Sequence, residues 1–146
     1  MKAATGDNRG AAGQNARTAV IRLRPRPGSV ASARYFTTAV LASWRVADDV
    51  VQDVLLAVSE LVTNAVEHGV GEVVLELVNH VGRCLRVQVS DKGLGANPAL
   101  VPLSPETPRS RGLAIVAAVS SAWGHRGDDA GLCVWAEFPL VRVDPL

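Results

Sequence analysis

The chain is poor in the residues that mark several specialised classes of protein. Its 146 residues include only two cysteines, Cys84 and Cys133, which lie far apart and lack the spacing of metal ligands. We expect both thiols to be buried and reduced, in a cytoplasmic protein. No apolar run approaches the roughly 20 residues of a membrane-spanning helix. The N-terminus also lacks the apolar core of a signal peptide.

An excess of charge of one sign is also missing. The 15 basic and 14 acidic residues nearly cancel, which leaves a formal net charge of +1. Nucleic acids and anionic membranes attract proteins through clustered positive charge, so we expect no direct contact with nucleic acid and none with a membrane. Apolar residues, in contrast, make up 48% of the chain. That content and length predict one ordinary globular domain with a substantial core.

The strongest pattern runs from Asp48 to Gly71 and predicts one amphipathic helix. Its apolar residues recur at the spacing of a buried helix face. They are Val51, Val54, Leu55, Val58, Leu61, Val62 and Ala65. Gly69 suits the C-terminal end of such a helix. Glu60 and Asn64, four positions apart, share a different face. The helix is therefore expected to present a carboxylate beside an amide, away from its packing stripe.

The other segments predict an α+β fold. In order they are a strand at 18–24, a helix at about 30–44, the central helix, strands at 72–79 and 83–90, a helix at 112–121, and strands at 122–126 and 132–141. We take Ser29 as the N-cap of the first helix, and Asp48 or Asp49 as that of the central helix. Hairpins with segregated helices indicate a two-layer α/β sandwich, with a mixed, mainly antiparallel sheet and helices on one face.

The domain boundaries follow from composition. Residues 1–17 are polar and aperiodic, so we expect a flexible N-terminal tail. Residues 18–146 are expected to form the single domain. Within it, residues 96–111 are rich in proline and have no period, which is typical of a functional lid or a disordered loop.

Three signals that could carry chemistry lie at the ends of predicted elements. The first is the pair of Glu60 and Asn64. An amide oxygen can bind a Mg²⁺ ion that otherwise keeps its waters and phosphate ligands. An ionised carboxylate beside it can accept a proton from a hydroxyl group or a water. A solvated helix face explains the same two residues.

The second signal is the run Asp91-Lys92-Gly93-Leu94-Gly95, at the end of a strand. Paired glycines let the backbone approach a flat ligand closely. Asp91 would then accept a hydrogen bond from an exocyclic amine of that ligand. An ordinary strand-ending turn is the alternative.

The third signal is Ser110-Arg111-Gly112-Leu113, at the start of a helix. Free N–H groups and the helix dipole bind phosphate at such a position. Arg109 and Arg111 would add charge-assisted contacts. The alternative is an ordinary helix start beside solvated arginines.

In this order, the three signals resemble the ATP-binding domain shared by histidine kinases, gyrase, Hsp90 and MutL. The resemblance rests on SELVTNAVEHG, VSDKGLG and RGLAIV and covers residues 18–140. Within that superfamily the chain is most similar to the small stand-alone bacterial anti-sigma factor serine/threonine protein kinases. The resemblance implies the Bergerat-type ATP-binding fold, with ATP and Mg²⁺ as cofactors.

The resemblance also implies a role for each residue of the three motifs. Glu60 matches the catalytic carboxylate and Asn64 the magnesium ligand, while Asp91 matches the residue that reads the adenine amino group. The other implied ATP-binding residues are Gly93, Gly95, Arg111, Gly112 and Leu113. Trp123-Gly124 and Val134-Trp135-Ala136 resemble the closing hairpin of the anti-sigma branch, and we assign them to the core.

The implied activity is a serine/threonine kinase that phosphorylates an anti-sigma-factor antagonist and also sequesters a sigma factor. The resemblance also implies a homodimer. One departure keeps an alternative open, because Ser110 stands where relatives have a glycine. The alternative is a partner-switch module that binds nucleotide and a sigma factor or antagonist without phosphotransfer. A slow ATPase is a third possibility.

Overall fold

The computed structural model describes residues 2–9, 15–93 and 108–140. Its elements are β1 (Lys2–Arg9), β2 (Asn15–Leu23), α1 (Ser29–Ser43), α2 (Asp48–His68), β3 (Val73–His80), β4 (Cys84–Asp91), α3 (Pro108–Val119), β5 (Ala122–Asp128) and β6 (Gly131–Pro139). The predicted order of helices and strands from β2 onward is confirmed.

The strands form one six-stranded sheet in the order β1-β2-β3-β4-β6-β5. Within the described ranges every neighbouring pair is antiparallel, so the sheet is more uniform than the mixed sheet that we predicted. Helix α2 packs between α1 and α3 and lies on β3, β4 and β6. The predicted α+β sandwich of two layers, with the helices on one face, is confirmed.

Buried and half-buried residues alternate strictly along the central strands, and the buried ones form the core. Val73, Leu75 and Leu77 of β3 are fully buried, and the residues between them are half-buried. Strand β4 repeats the pattern. Opposite them, α2 buries Val50, Val54, Leu55, Ala57, Val58, Leu61, Val62 and Ala65. The apolar face of α2 is thus close to the predicted stripe, and burial of this area, at about 25 cal/mol per Å², stabilises the fold.

The N-terminal segment differs from the flexible tail that we predicted for residues 1–17. Lys2–Arg9 form β1, which pairs antiparallel with β2, and β2 begins at Asn15. The segment shows no alternation of apolar residues, so its sequence pattern does not predict a strand. Backbone N–H and C=O groups on the edge of β2 can pair with any extended segment, and this pairing does not depend on side-chain pattern.

Both predicted helix caps are wrong. Gly28 is the N-cap of α1, and the Ser29 hydroxyl instead donates a hydrogen bond to the Arg24 carbonyl oxygen. Ala47 is the N-cap of α2 and makes no side-chain cap hydrogen bond, while Asp49 Oδ1 accepts a hydrogen bond from Val50 N–H in the first turn. Asp48 and Asp49 lie in the first turn of α2, where their charge still favours the positive end of the helix dipole.

The predicted lid at 96–111 is tested only at its end. Residues 96–107 lie outside the described ranges. Residues 108–111 form the first turn of α3, so the helix begins four residues before the predicted start at 112. Pro108 fits that place because the first helical position needs no N–H donor.

The sheet face opposite the helices carries both cysteines. Cys84 and Cys133 are free and half-buried, rather than buried as we predicted. Cys84 Sγ lies 3.6 Å from Glu137 Oε2. Burial and, after it, the Glu137 carboxylate raise the pKa of the Cys84 thiol above its ordinary value. Within the described ranges no helix has the length and hydropathy of a membrane span.

The core assignment of the closing hairpin is correct only in part. Ala136 is buried, and Trp123 and Val134 pack against the core. Trp135 pairs with Gln88 across the open face of the sheet. The Arg86 guanidinium lies 4.4 Å from the centroid of the Trp135 ring, a cation–π distance.

The contact between Cys84 and Glu137 gives a pH-dependent prediction. In a Cys133→Ser background, Glu137→Gln is expected to lower the pKa of Cys84, because a neutral amide no longer opposes the thiolate. The thiolate is the reactive form, so alkylation near pH 8 should become faster. The check is the pH–rate profile of iodoacetamide labelling. An unchanged profile would contradict the assigned effect of Glu137.

Candidate functional site

A cavity lies between the C-terminal half of α2 and the paired strands β4 and β6. It is a depression that opens to solvent, and about 460 Å³ of empty space lies within it when the open part is counted. Its lining residues are Leu61, Asn64, Ala65, His68, Gly69, Val89, Asp91, Gly93, Leu132 and Val134. Most of the cavity surface is apolar. Its polar side chains are Asn64, His68 and Asp91, which lie at separate positions.

Asp91, the last residue of β4, supplies a carboxylate at one end of the cavity. Its side chain is nearly buried, and its Oδ1 accepts hydrogen bonds from Gly93 N–H at 2.7 Å and Val70 N–H at 3.4 Å. Lys92 N–H donates to the Val70 carbonyl at 2.9 Å. These bonds join the end of β4 to the loop after α2. Within the described part of the chain, both of these hydrogen bonds end on Oδ1. Oδ2 can therefore accept a hydrogen bond from a ligand.

The slot around Asp91 is built from glycines. A Cβ placed on Gly131 would lie 2.0 Å from the Asp91 carbonyl oxygen, and the φ of Gly131 is 138°. A Cβ on Gly93 would lie 3.1 Å from Asp91 Oδ1. The backbone of β6 therefore approaches that of β4 at a distance that leaves no room for a side chain.

The candidate site has two polar points. The first is the Asp91 carboxylate, and the second is a cluster of Glu60, Asn64 and Gly112. A Cβ on Gly112 would lie 2.8 Å from Glu60 Oε2 and within 3.6 Å of both terminal atoms of the Asn64 amide. Glu60 and Asn64 are half-buried on α2, while Gly112 is buried near the start of α3. The predicted pair on α2 and the predicted glycine of α3 are thus neighbours, although 48 residues separate Asn64 from Gly112.

The two polar points are arranged along α2. Glu60 and Gly69, which borders Asp91, are nine positions apart, or about 13.5 Å along a helix axis at 1.5 Å per residue. Between them lie the apolar walls of Ala65, Leu132 and Val134. The cavity lining includes both Asp91 and Asn64, so a ligand in the cavity would contact the Asp91 carboxylate and approach the cluster at Gly112.

The other predicted site residues are less central. Leu113 is buried in the hydrophobic core, and Arg111 is exposed on α3. Gly95 lies outside the described residues. The roles that the resemblance implies for these residues stay predictions.

Several cavity residues were missing from the sequence-based site. Gly69 follows His68 within the SELVTNAVEHG motif, so its proximity to the motif was a usable signal. Leu132 and Val134 lie about forty residues after Asp91 and enter the site through the register of β4 and β6, which pairs Asp91 with Leu132. Strand pairing over that separation leaves no mark in a local sequence pattern.

The polar groups fit a magnesium ion that is held jointly with phosphate. Within the described residues, no cluster of three or more His, Cys, Asp or Glu side chains can hold a metal alone. Mg²⁺ bound to phosphates needs only one or two protein oxygens. The Asn64 amide oxygen could be that ligand, and both terminal amide atoms lie beside Gly112, as does Glu60 Oε2. The buried Nδ2 has no hydrogen-bond partner in the described structure, so this donor is left for an acceptor on a ligand.

The fold is an α/β sandwich with a cavity between its central helix and its sheet. Residues 23–138 match the model of the histidine kinase-like ATPase domain. This match covers most of the chain, so the protein belongs to that family, and the resemblance of its motifs is confirmed. Membership in this family implies ATP binding.

One solved structure extends the comparison of folds. The chain is similar to the crystal structure of the RsbU and RsbW domains of Rv1364c from Mycobacterium tuberculosis, with a TM-score of 0.61 and 21% identity. The similarity covers 85% of this chain but 33% of the other, so the chain spans about a third of that protein's length. At this identity the similarity shows a shared fold. No curated protein matches the chain.

The close approach at Gly131 predicts an unusually large effect of a small substitution. Gly131→Ala combines a positive φ with a contact against the Asp91 backbone, so we expect a loss of several kcal/mol of unfolding free energy. Gly82→Ala is the matched control, because Gly82 has a φ of 78° but open space around it. We expect that control to lose only about 1 kcal/mol. Urea unfolding measures both, and equal losses would contradict the assigned contact.

Proposed function

We propose that the protein is a cytoplasmic ATP-binding regulator, namely an anti-sigma factor serine/threonine kinase that uses MgATP to phosphorylate an anti-sigma-factor antagonist. The observation that carries the proposal is that two polar points lie along the length of α2. One is the Asp91 carboxylate with its uncommitted oxygen, and the other is the cluster of Glu60, Asn64 and Gly112.

The Asp91 end suits adenine. The flat ring would lie between the apolar side chains of α2 and β6, where burial of its faces is favourable. Asp91 Oδ2 would accept a hydrogen bond from the 6-amino group. A purine with a carbonyl group at that position would place a second acceptor against the carboxylate. No hydrogen bond could form between them, so binding of such a purine is disfavoured. Hydrogen bonds from Gly93 and Val70 hold the carboxylate in place before the ligand arrives.

The Gly112 end suits the phosphates. Backbone N–H groups at the start of α3 and the dipole of that helix favour an anion, and the exposed Arg111 can add a charge-assisted contact. Asn64 would hold Mg²⁺, which supplies neutralisation of phosphate charge when bound. Glu60 would accept the proton of a serine or threonine hydroxyl. The hydroxyl oxygen would bond to the γ-phosphorus as the bond between that phosphorus and the β,γ-bridging oxygen breaks and releases ADP. The rate enhancement would then come from the positioning of the reacting groups and from electrostatic stabilisation of the phosphate charge.

The proposed partners rest on resemblance and on fold. The sequence motifs resemble the anti-sigma factor kinases, and the fold is shared with a structure that contains an RsbW domain. We therefore propose an antagonist protein as the phosphate acceptor and a sigma factor as the sequestered partner. A homodimer is part of the same proposal.

A second function, nucleotide-dependent partner binding without phosphotransfer, has one observation in its favour. Ser110 stands just before Arg111 and Gly112, where the resemblance implies a further glycine. A residue other than glycine restricts the backbone there, which would hinder a close approach to the terminal phosphate. Binding of ADP and ATP would then survive, while transfer of the γ-phosphate would not occur.

Nucleotide binding is predicted to stabilise the protein against heat. A ligand that binds only the folded state at a hundredfold excess over Kd adds about 2.7 kcal/mol. We expect MgATP to raise the melting temperature of the wild type but not of Asp91→Ala, and Asn64→Ala to lose the dependence on Mg²⁺. Each variant is compared with its own ligand-free melting temperature. An equal rise in Asp91→Ala would contradict the assigned base site.

Phosphotransfer is predicted to depend on Glu60. Glu60→Gln keeps the shape of the side chain but removes the proton acceptor, so transfer from labelled ATP to a cognate antagonist should fall by about 10² to 10⁴, while nucleotide binding persists. Glu67→Gln on the same helix is the control, because Glu67 is exposed and faces solvent. Intact transfer in Glu60→Gln would refute its role as the base. Binding without transfer in the wild type would favour the second function.

A further inference from the structure

We propose that Gly69 is a positioning residue for base recognition: the absence of a side chain at this position sets the orientation of the Asp91 carboxylate. This inference rests on the proposed function, because it concerns the same nucleotide site. Gly69 acts through Asp91 and not through a contact of its own with the ligand.

The backbone at Gly69 does not require glycine. Gly69 caps α2 with φ −84° and ψ −177°, an extended conformation that any residue adopts. Its N–H donates to the Ala65 carbonyl at 2.9 Å and closes the helix. Conformational freedom therefore gives no reason for a glycine here, unlike at Gly131, where φ is 138°.

The requirement at Gly69 is space. A Cβ on this residue would lie 2.6 Å from both Cγ and Oδ2 of Asp91, and 2.4 Å from the Ala65 carbonyl oxygen. The Ala65 carbonyl belongs to the last turn of a 21-residue helix, whereas the Asp91 carboxylate turns about two side-chain bonds. We infer that the carboxylate is the group displaced most easily by an added methyl group.

A side chain at position 69 would meet the part of Asp91 that is proposed to recognise the base. Oδ1 is held by the Gly93 and Val70 amides, and Oδ2 is the oxygen left for the ligand. Gly69 borders Oδ2, so a side chain there would turn the acceptor away from the ring of the nucleotide. The added side chain should weaken discrimination by the 6-amino group. It should leave the phosphate end unaffected, because Asn64 and Glu60 lie five and nine positions away on α2.

The test compares ADP with purine riboside diphosphate, which lacks the 6-amino group, by calorimetric titration. The wild type is expected to prefer ADP by about tenfold or more, the worth of one charge-assisted hydrogen bond. Gly69→Ala should bring that ratio close to one. Gly28→Ala is the matched control and should keep the wild-type ratio, because its Cβ would meet nothing within 4 Å. An unchanged ratio in Gly69→Ala would overturn the proposal.

A double-mutant cycle tests the same contact without ligand. Asp91→Ala removes Cγ and Oδ2, so Gly69→Ala should lower the melting temperature less in the Asp91→Ala background than in the wild type. If Gly69→Ala alone fails to fold, recovery of folding in the double variant supports the proposal. Equal losses in both backgrounds would overturn it and assign the effect to the Ala65 carbonyl.

The two experiments also separate this inference from the proposed function. A wild type that binds both nucleotides equally, or neither, would refute recognition of adenine by Asp91 and with it the functional part of this inference. The double-mutant cycle would still decide whether Gly69 sets the position of Asp91, since it needs no nucleotide.

Discussion

The carboxylate of Asp91 joins the sheet to the central helix, and the candidate site depends on that junction. Asp91 Oδ1 accepts from the Gly93 amide at the end of β4 and from the Val70 amide just after α2. A buried carboxylate is costly unless it is hydrogen-bonded, so these two backbone donors stabilise its placement as well as fix it. Three glycines, at positions 69, 93 and 131, leave the space in which it lies.

Helix α2 converts this junction into an extended site. Its buried face packs on the sheet, while Glu60 and Asn64 are displaced from that face by the helical period and reach the start of α3. The same helix thus sets the distance between the two polar points, and core packing sets their orientation. A change that moves α2 relative to β4 would separate the two points, so stability and ligand binding are linked in this fold.

The sequence predicted the fold where side-chain periods were strong. The alternation of β3 and β4 and the stripe of α2 follow directly from burial on one face, and the Glu60–Asn64 pair follows from helical spacing. Strand β1 was not predictable, because backbone pairing with β2 forms it without an apolar pattern. The cap at Gly28 was missed because the Arg24 carbonyl accepts a hydrogen bond from the Ser29 hydroxyl, and the cap at Ala47 was missed because alanine has no capping side chain to mark the position. Leu132 and Gly131 enter the site only through strand pairing.

The central claim is that the cavity beside Asp91 binds an adenine nucleotide lengthwise along α2. Amide chemical shifts recorded during titration with MgADP test it most directly. We expect saturable changes at Val70, Gly93 and Leu132 around the base, together with changes at Asn64. Absent changes would contradict it. So would changes confined to the separate surface pocket lined by Arg22, Arg26 and Ser32.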